Sequence, residues 1–135
     1  MRSLPFDREE VWDDGTHVVF RRLPFQFRKK PFVPGRLAAG AKVEVVPLDP
    51  QRLFASQLNV TDVGLKQNRH VSVNAIPPTV FAEPDGTYTI SDGHHRIAAA
   101  WLRGDESIPA VVIYVPHAIG DLGAARGWMR TPGGR

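Results

Sequence analysis

Thr87-Tyr88-Thr89-Ile90-Ser91-Asp92-Gly93-His94-His95-Arg96-Ile97-Ala98-Ala99-Ala100-Trp101-Leu102-Arg103-Gly104 changes its period in the middle. Up to Ile90 the residues are β-branched or aromatic, as in a strand. From His94 to Arg103 the apolar residues Ile97, Ala98, Trp101 and Leu102 fall on one helical face. Gly104 stands where a helix-ending glycine belongs. The stretch therefore predicts strand, tight turn and helix, with Asp92-Gly93-His94-His95-Arg96 at the helix start.

Working outward, Pro84-Asp85-Gly86 is a turn sequence with Thr79-Val80-Phe81 before it, so residues 78–90 predict a hairpin. Pro109 to Val115 predicts a buried strand after the helix. Lys42 to Val46 predicts another strand, ended by Pro47-Leu48-Asp49-Pro50, with a short helical turn over Gln51–Phe54 and a helix near Thr61–Gln67. His17 to Leu23 is β-branched and aromatic, and predicts a strand. Residues 1–16 are polar and predict a short helix or a loose arm, docking through Phe6, Val11 and Trp12. Pro24, Pro31, Pro34, Gly35 and Gly40 mark a linker or wrapping arm. After Pro116 glycine and arginine dominate, with a short helix expected over Ile119–Met129 and fraying from Thr131 to Arg135. There is no internal repeat. The expected organisation is a basic N-terminal arm over 1–42, an α+β core domain over 43–116 and a C-terminal extension over 117–135.

The 135 residues suit one hydrophobic core. The absence of cysteine excludes disulfides, thiolate metal sites and cysteine nucleophiles. No apolar run approaches the roughly 18 residues of a membrane span, so no membrane partner is expected. Acids and a proline near Met1 do not fit a secretory signal, and a cytoplasmic location is expected. The net charge of +3 is unevenly spread: Gly15 to Val43 holds seven bases and no acid. Arg21, Arg22, Arg28, Lys29, Lys30, Arg36 and Lys42 either guide nucleic acid or solvate a loop whose Phe25, Phe27 and Phe32 anchor it to the core.

The turn carries the chemistry. The first N–H groups of a helix have no intrahelical acceptor, and the helix dipole favours an anion there. Gly93 permits close backbone approach. Ser91 or Asp92 is the expected N-cap. Arg96 offers a planar fork to phosphate oxygens, and His94 and His95 add donors that titrate near neutral pH. Asp92 is the expected Mg²⁺ ligand. Two competing readings are simple helix capping with surface histidines, and a zinc site. The zinc site lacks a third ligand at a recognised spacing.

With Pro47-Leu48-Asp49, Thr87 to Ser91, Asp92 to Ala100 and Ile108 to Val112 in this order, residues 43–115 resemble the ParB/sulfiredoxin superfamily. The likeness is greatest to its small ParB-like nuclease domains with a DGHHR signature. The resemblance implies a small mixed sheet with packed helices. It also implies a Mg²⁺-dependent nucleoside triphosphate site where Gly93 to Arg96 lie, used in that superfamily for CTP hydrolysis or for phosphoryl transfer to serine. Some relatives end bacterial toxins. In that case the partner is an immunity protein and the place of action the cytoplasm of a target cell. Sulfiredoxins carry a cysteine where this chain has His94, so their chemistry is excluded. Partition proteins continue into further domains, and with about 20 residues after Val115 a complete one is not expected.

The resemblance also draws in Ser56-Gln57, with Gln57 as a ligand contact, although an ordinary polar loop is the simpler explanation of the pair. Glu44 is a candidate general base or metal ligand, or the exposed position of an alternating strand. Asp49 either joins it or caps the turn that follows. His70 and His117 are isolated and read as surface residues. Trp101 and Tyr114 read as core. The expected catalytic residues are Asp92, His94, His95 and Glu44, and the expected phosphate contacts are Gly93, His94, His95, Arg96 and Gln57. Three functions follow in order of preference: a Mg²⁺-dependent nucleotide phosphohydrolase or phosphotransferase, a nuclease guided by the basic arm, and a non-catalytic binding module.

Overall fold

Alternation decides which face of each strand is buried, and the central sheet shows it clearly. In the computed structural model, which describes residues 2–31, 43–69 and 76–115, β8 (Ile108–Tyr114) buries Ile108, Ala110 and Val112 and turns Val111 and Ile113 the other way. β6 (Thr79–Ala82) buries Val80 and Ala82 on the same side. Together with β3 (Val43–Leu48), β7 (Tyr88–Asp92) and the two-residue β4 (Leu53–Phe54), they form a five-stranded sheet in the order β3-β8-β6-β7-β4. The sheet is mixed. β6 runs parallel to β8, and β4 parallel to β7, while β3–β8 and β6–β7 are antiparallel.

A second sheet has three antiparallel strands. β1 (Phe6–Val11) and β2 (His17–Arg22) form a hairpin, and β2 pairs with β5 (Asn59–Thr61). The N-terminal stretch is thus a strand where the sequence predicted a short helix or loose arm. Phe6-Asp7-Arg8-Glu9-Glu10-Val11 is almost wholly exposed and has no apolar face. Its conformation comes from pairing with β2, a non-local cause that leaves little mark on its composition.

α1 (Asp62–Asn68) starts directly from β5, with the Thr61 hydroxyl accepting from the Gly64 N–H as its N-cap. α2 (His94–Arg103) lies between the two sheets. Ile97 and Ala100 pack on Val80, Ile90 and Ile108, while Ala98 packs on Leu4, Leu23 and Val60. Burial on two sides explains the small residues Ala98-Ala99-Ala100, since a larger side chain would push the layers apart. Ile97 is fully buried, and its burial is worth about 1.5–3 kcal/mol.

Gly86 takes the hairpin turn at φ 87°, and Gly104 ends α2 at φ 84° with its N–H on Trp101 C=O. The short turn before β4 is a 3-10 helix over Pro50–Arg52, capped by Asp49, whose carboxylate accepts from the Gln51 N–H. The expected helix at Ile119–Met129, His70, His117, Phe32, Arg36 and Lys42 lie outside the described residues.

Three of the five described bases of the basic segment meet acids from elsewhere in the chain. Arg21 pairs with Asp62 at 2.9 Å, and Arg22 with Asp7 at 2.9 Å. Arg28 donates to the Thr89 hydroxyl at 2.6 and 2.9 Å, stacks 3.9 Å over Phe54, and has Glu83 and Asp85 within 3.8 Å. This corrects the picture of a free cationic arm at those three positions. Counting charge along the chain misses partners that the fold supplies. Lys29 and Lys30 remain exposed. Phe25 packs on both cores and meets Trp101 edge-to-face at 6.4 Å, whereas Phe27 stays half exposed.

Candidate functional site

Gly93 joins β7 to α2 at φ 101°, a left-handed conformation that a side chain would strain. A Cβ there would also lie 2.7 Å from the Pro78 ring and 3.0 Å from Arg96 Nη2. Two things are fixed at once. The turn is pressed against Pro78, and the Arg96 guanidinium folds back over Gly93, as first-turn side chains lean towards the N-terminus.

Gly93 itself is the N-cap, and among the described residues no side chain caps the helix. The expectation that Ser91 or Asp92 caps α2 is therefore corrected. Both residues belong to the end of β7, and the positive φ of Gly93 swings the chain away before Asp92 can reach back to N2 or N3. The Asp92 side chain is 80% exposed and approaches Arg96 only at 3.6 Å. Arg96 is mostly enclosed, and its buried Nε has no hydrogen-bond partner among the described residues. A buried guanidinium nitrogen left in that state is costly and asks for an acceptor.

The histidines do something the sequence did not show. His94 is buried, and its Nε2 accepts the Ser56 N–H at 3.0 Å. His95 Nε2 accepts the Thr61 N–H at 3.2 Å. A backbone N–H can only donate, so both rings use the Nε2 lone pair and carry their proton on Nδ1. Ser56 in turn donates its hydroxyl to Ile90 C=O at 2.6 Å. Burial pushes the His94 pKa down to about 4, helped by the nearby His95 and by the Lys30 ammonium. Burial also lowers His95. The expectation that these residues titrate near neutral pH is corrected: burial lowers both, both rings are neutral there, and they fasten α2 to the 56–61 segment.

Gly64 makes the second fastening possible. A Cβ on it would lie 2.3 Å from the His95 ring, so only glycine lets α1 approach so closely. This partner lay 31 residues away in sequence, and no local pattern pointed to it.

Around the turn lies an open cleft of about 190 Å³, walled by Ser91 to Arg96 together with Gln57 and Asn68. Gln57 is held by a bond from its Nε2 to Asn59 C=O at 2.8 Å, and Asn68 by one to Gly64 C=O at 2.8 Å. The structure thus brings Gln57, Asp92, Gly93, His94, His95 and Arg96 to one place. Asn68 joins them unannounced by the sequence, as does Lys30 through its field on His94.

Glu44 is not brought there. It sits on β3, and three strand spacings, roughly 14 Å, separate β3 from β7. Its carboxylate accepts the Tyr114 hydroxyl at 2.5 Å, which drives the Tyr114 pKa up to about 12. The expected role of Glu44 beside the turn is corrected accordingly. Asp49 is used in capping the 3-10 turn.

The cleft is small for a whole nucleotide, since sites for small molecules usually measure about 300–1,000 Å³. It is about right for phosphate groups, with the remainder of a ligand lying outside. Among the described residues no three His, Asp or Glu side chains cluster closely enough to hold a metal on protein ligands alone. Mg²⁺ does not require that, since it commonly binds one or two carboxylates together with ligand phosphates and water. An exposed Asp92 fits this mode.

No family model matches the sequence, and no curated protein matches it. Among solved structures, the chain is similar to the C-terminally truncated chromosome-partitioning protein ParB from Caulobacter crescentus, complexed with CTP-gamma-S. The two are 18% identical with a TM-score of 0.43, and the match covers 65% of this chain and 54% of that one. The chain therefore spans about half the length of the protein it resembles. No described helix is long and apolar enough to cross a membrane.

Proposed function

We propose that this chain binds a nucleoside triphosphate through its phosphates at the Ser91–Arg96 turn. The observation that carries the reading is Arg96. Its guanidinium is drawn over Gly93 at the open end of α2, with a buried Nε that lacks an acceptor among the described residues. An anion there meets the first-turn N–H groups, which have no acceptor within the helix, and the positive end of the helix dipole. The resemblance read from the DGHHR sequence supports a nucleotide as the ligand class. The cleft volume supports phosphates inside it and the nucleoside beyond its rim.

Asp92 is the residue that would hold Mg²⁺, whose chemistry there is to neutralise phosphate charge. Arg96 orients the phosphates, and the first-turn N–H groups bind them. His94 and His95 set the position of the turn and do not act as bases, because each Nε2 lone pair is already engaged. Binding is thus the reading the geometry supports best. Hydrolysis or phosphoryl transfer would depend on Asp92 for proton transfer. The nuclease reading loses support at Arg21, Arg22 and Arg28, which are committed to internal partners.

Thermal unfolding with CTP, ATP, GTP and pyrophosphate, each with and without Mg²⁺, tests the proposal. A ligand at a hundred times its Kd adds about 2.7 kcal/mol, enough to raise the melting temperature by several degrees. A rise with at least one triphosphate, abolished in Arg96→Ala, is expected. No rise with any triphosphate at millimolar concentration would overturn the reading. Phosphate release measured in the same samples separates binding from turnover.

A further inference from the structure

α1 and α2 leave a groove between them on the outer surface, away from the turn. It measures about 530 Å³. Leu65, Ala99 and Leu102 line it as an apolar floor, and Arg2, Lys66, Arg69 and Arg103 stand around it. Among the described residues the single acid on its wall is Asp62, whose charge is already answered by Arg21 at 2.9 and 3.2 Å. Arg2 is fixed across one end, donating to Trp101 C=O at 2.8 Å and lying 4.9 Å over the Trp101 ring. Arg103 is fixed by Asp105 at 3.0 Å. Lys66 and Arg69 are exposed and have no ion-pair partner among the described residues.

We propose that this groove docks an acidic amphipathic helix of a partner protein. Two features of the surface must be matched together. The floor asks for an apolar stripe, as when a helix lies in a groove with anchors at i, i+3 or i+4 and i+7. The rim asks for carboxylates on either side of that stripe, with Lys66 and Arg69 as the cations that have charge to give. A nucleic-acid backbone would satisfy the rim alone and leave Leu65 and Leu102 facing sugar and phosphate. The apolar floor therefore favours a peptide. The proposal is independent of the phosphate cleft, which shares no wall residue with the groove.

The test uses the full chain labelled for NMR and two synthetic helical peptides of about 15 residues. Both carry leucines at i, i+4 and i+7, flanked by glutamates in one and by lysines in the other. The glutamate peptide is expected to shift amide signals in α1 and α2, and the lysine peptide to shift none. In the Lys66→Glu/Arg69→Glu double variant the glutamate peptide should bind at least tenfold more weakly, and the lysine peptide should gain binding. Both substitutions are at exposed positions, and circular dichroism of the variant checks its fold. A 15-nucleotide single strand is titrated in parallel. Tighter binding of the strand than of the glutamate peptide, falling steeply with salt, would replace the proposal with a nucleic-acid surface. Equal affinity of the glutamate peptide for wild type and double variant would overturn it, as would its failure to bind at all.

Discussion

At the scale of single residues, Arg96 bears the most weight. Its guanidinium sits over the Gly93 backbone with Nε buried and unpartnered among the described residues. In Arg96→Ala, phosphate binding should weaken by about 1.5–3 kcal/mol, the scale of hydrogen bonds to a charged group. Arg96→Lys should recover only part, because an ammonium lacks the planar fork. Stability should change little. The packed stem is lost, but so is a desolvated nitrogen, and the two effects oppose each other to within on the order of 1 kcal/mol. Calorimetric titration of a triphosphate into all three proteins, with melting temperatures alongside, checks both statements. Equal affinities would remove Arg96 from the site, and a collapse in melting temperature would make it a structural residue.

Among elements, the contact between α1 and α2 is set by one missing methyl group. Gly64 costs helix stability, and alanine in an open helix interior would gain about 1 kcal/mol. Here the added Cβ would lie 2.3 Å from the His95 ring, and overpacking of that kind costs about 1–3 kcal/mol. Gly64→Ala should therefore destabilise, and it should cost less in a His95→Ala background, where the ring it meets is gone; urea unfolding of the single and double variants reads this directly. The same clasp responds to acid. His94 falls from an ordinary value of 6.5 to about 4 in the folded chain, so the unfolded chain binds more protons between those values. Stability should be flat with respect to His94 above about pH 6.5 and decline from there towards pH 4, by about 3 kcal/mol in all. Unfolding free energies between pH 4 and 8 check the direction, and His94→Gln should flatten that part of the profile. These roles mark the limit of what was legible. The bounds of α2, the hairpin at Gly86 and the strand after Pro109 could be read from local period and turn chemistry, which are properties of neighbouring residues. The function of the His94 and His95 rings could not, because it depends on Ser56, Thr61 and Gly64, which only the fold brings within reach. β1 was illegible for the same reason, since pairing rather than composition makes it a strand.

For the molecule as a whole, the order of strands carries its own consequence. β8 is the last described strand in sequence, yet it lies inside the five-stranded sheet between β3 and β6. Everything made before it forms a sheet with a gap. β3 has β8 as its pairing partner, and one edge of β6 stays open until Ile108–Tyr114 arrives. A chain ended at Gly104 should expose that open edge together with Val80, Ala110's counterpart Val46 and the underside of α2. It should aggregate instead of folding to a smaller version of the protein. Adding the synthetic peptide 105–115 should restore soluble material, as read by size-exclusion chromatography; a soluble, cooperatively melting 1–104 fragment would contradict this. During synthesis the consequence is one of timing. A ribosome adding about 5–20 residues each second makes the Ser91–Arg96 turn before the strand that closes the sheet beneath its helix. The nascent chain therefore holds the Gly93 turn in an unfinished sheet until β8, the last described strand, slots between two neighbours already waiting for it.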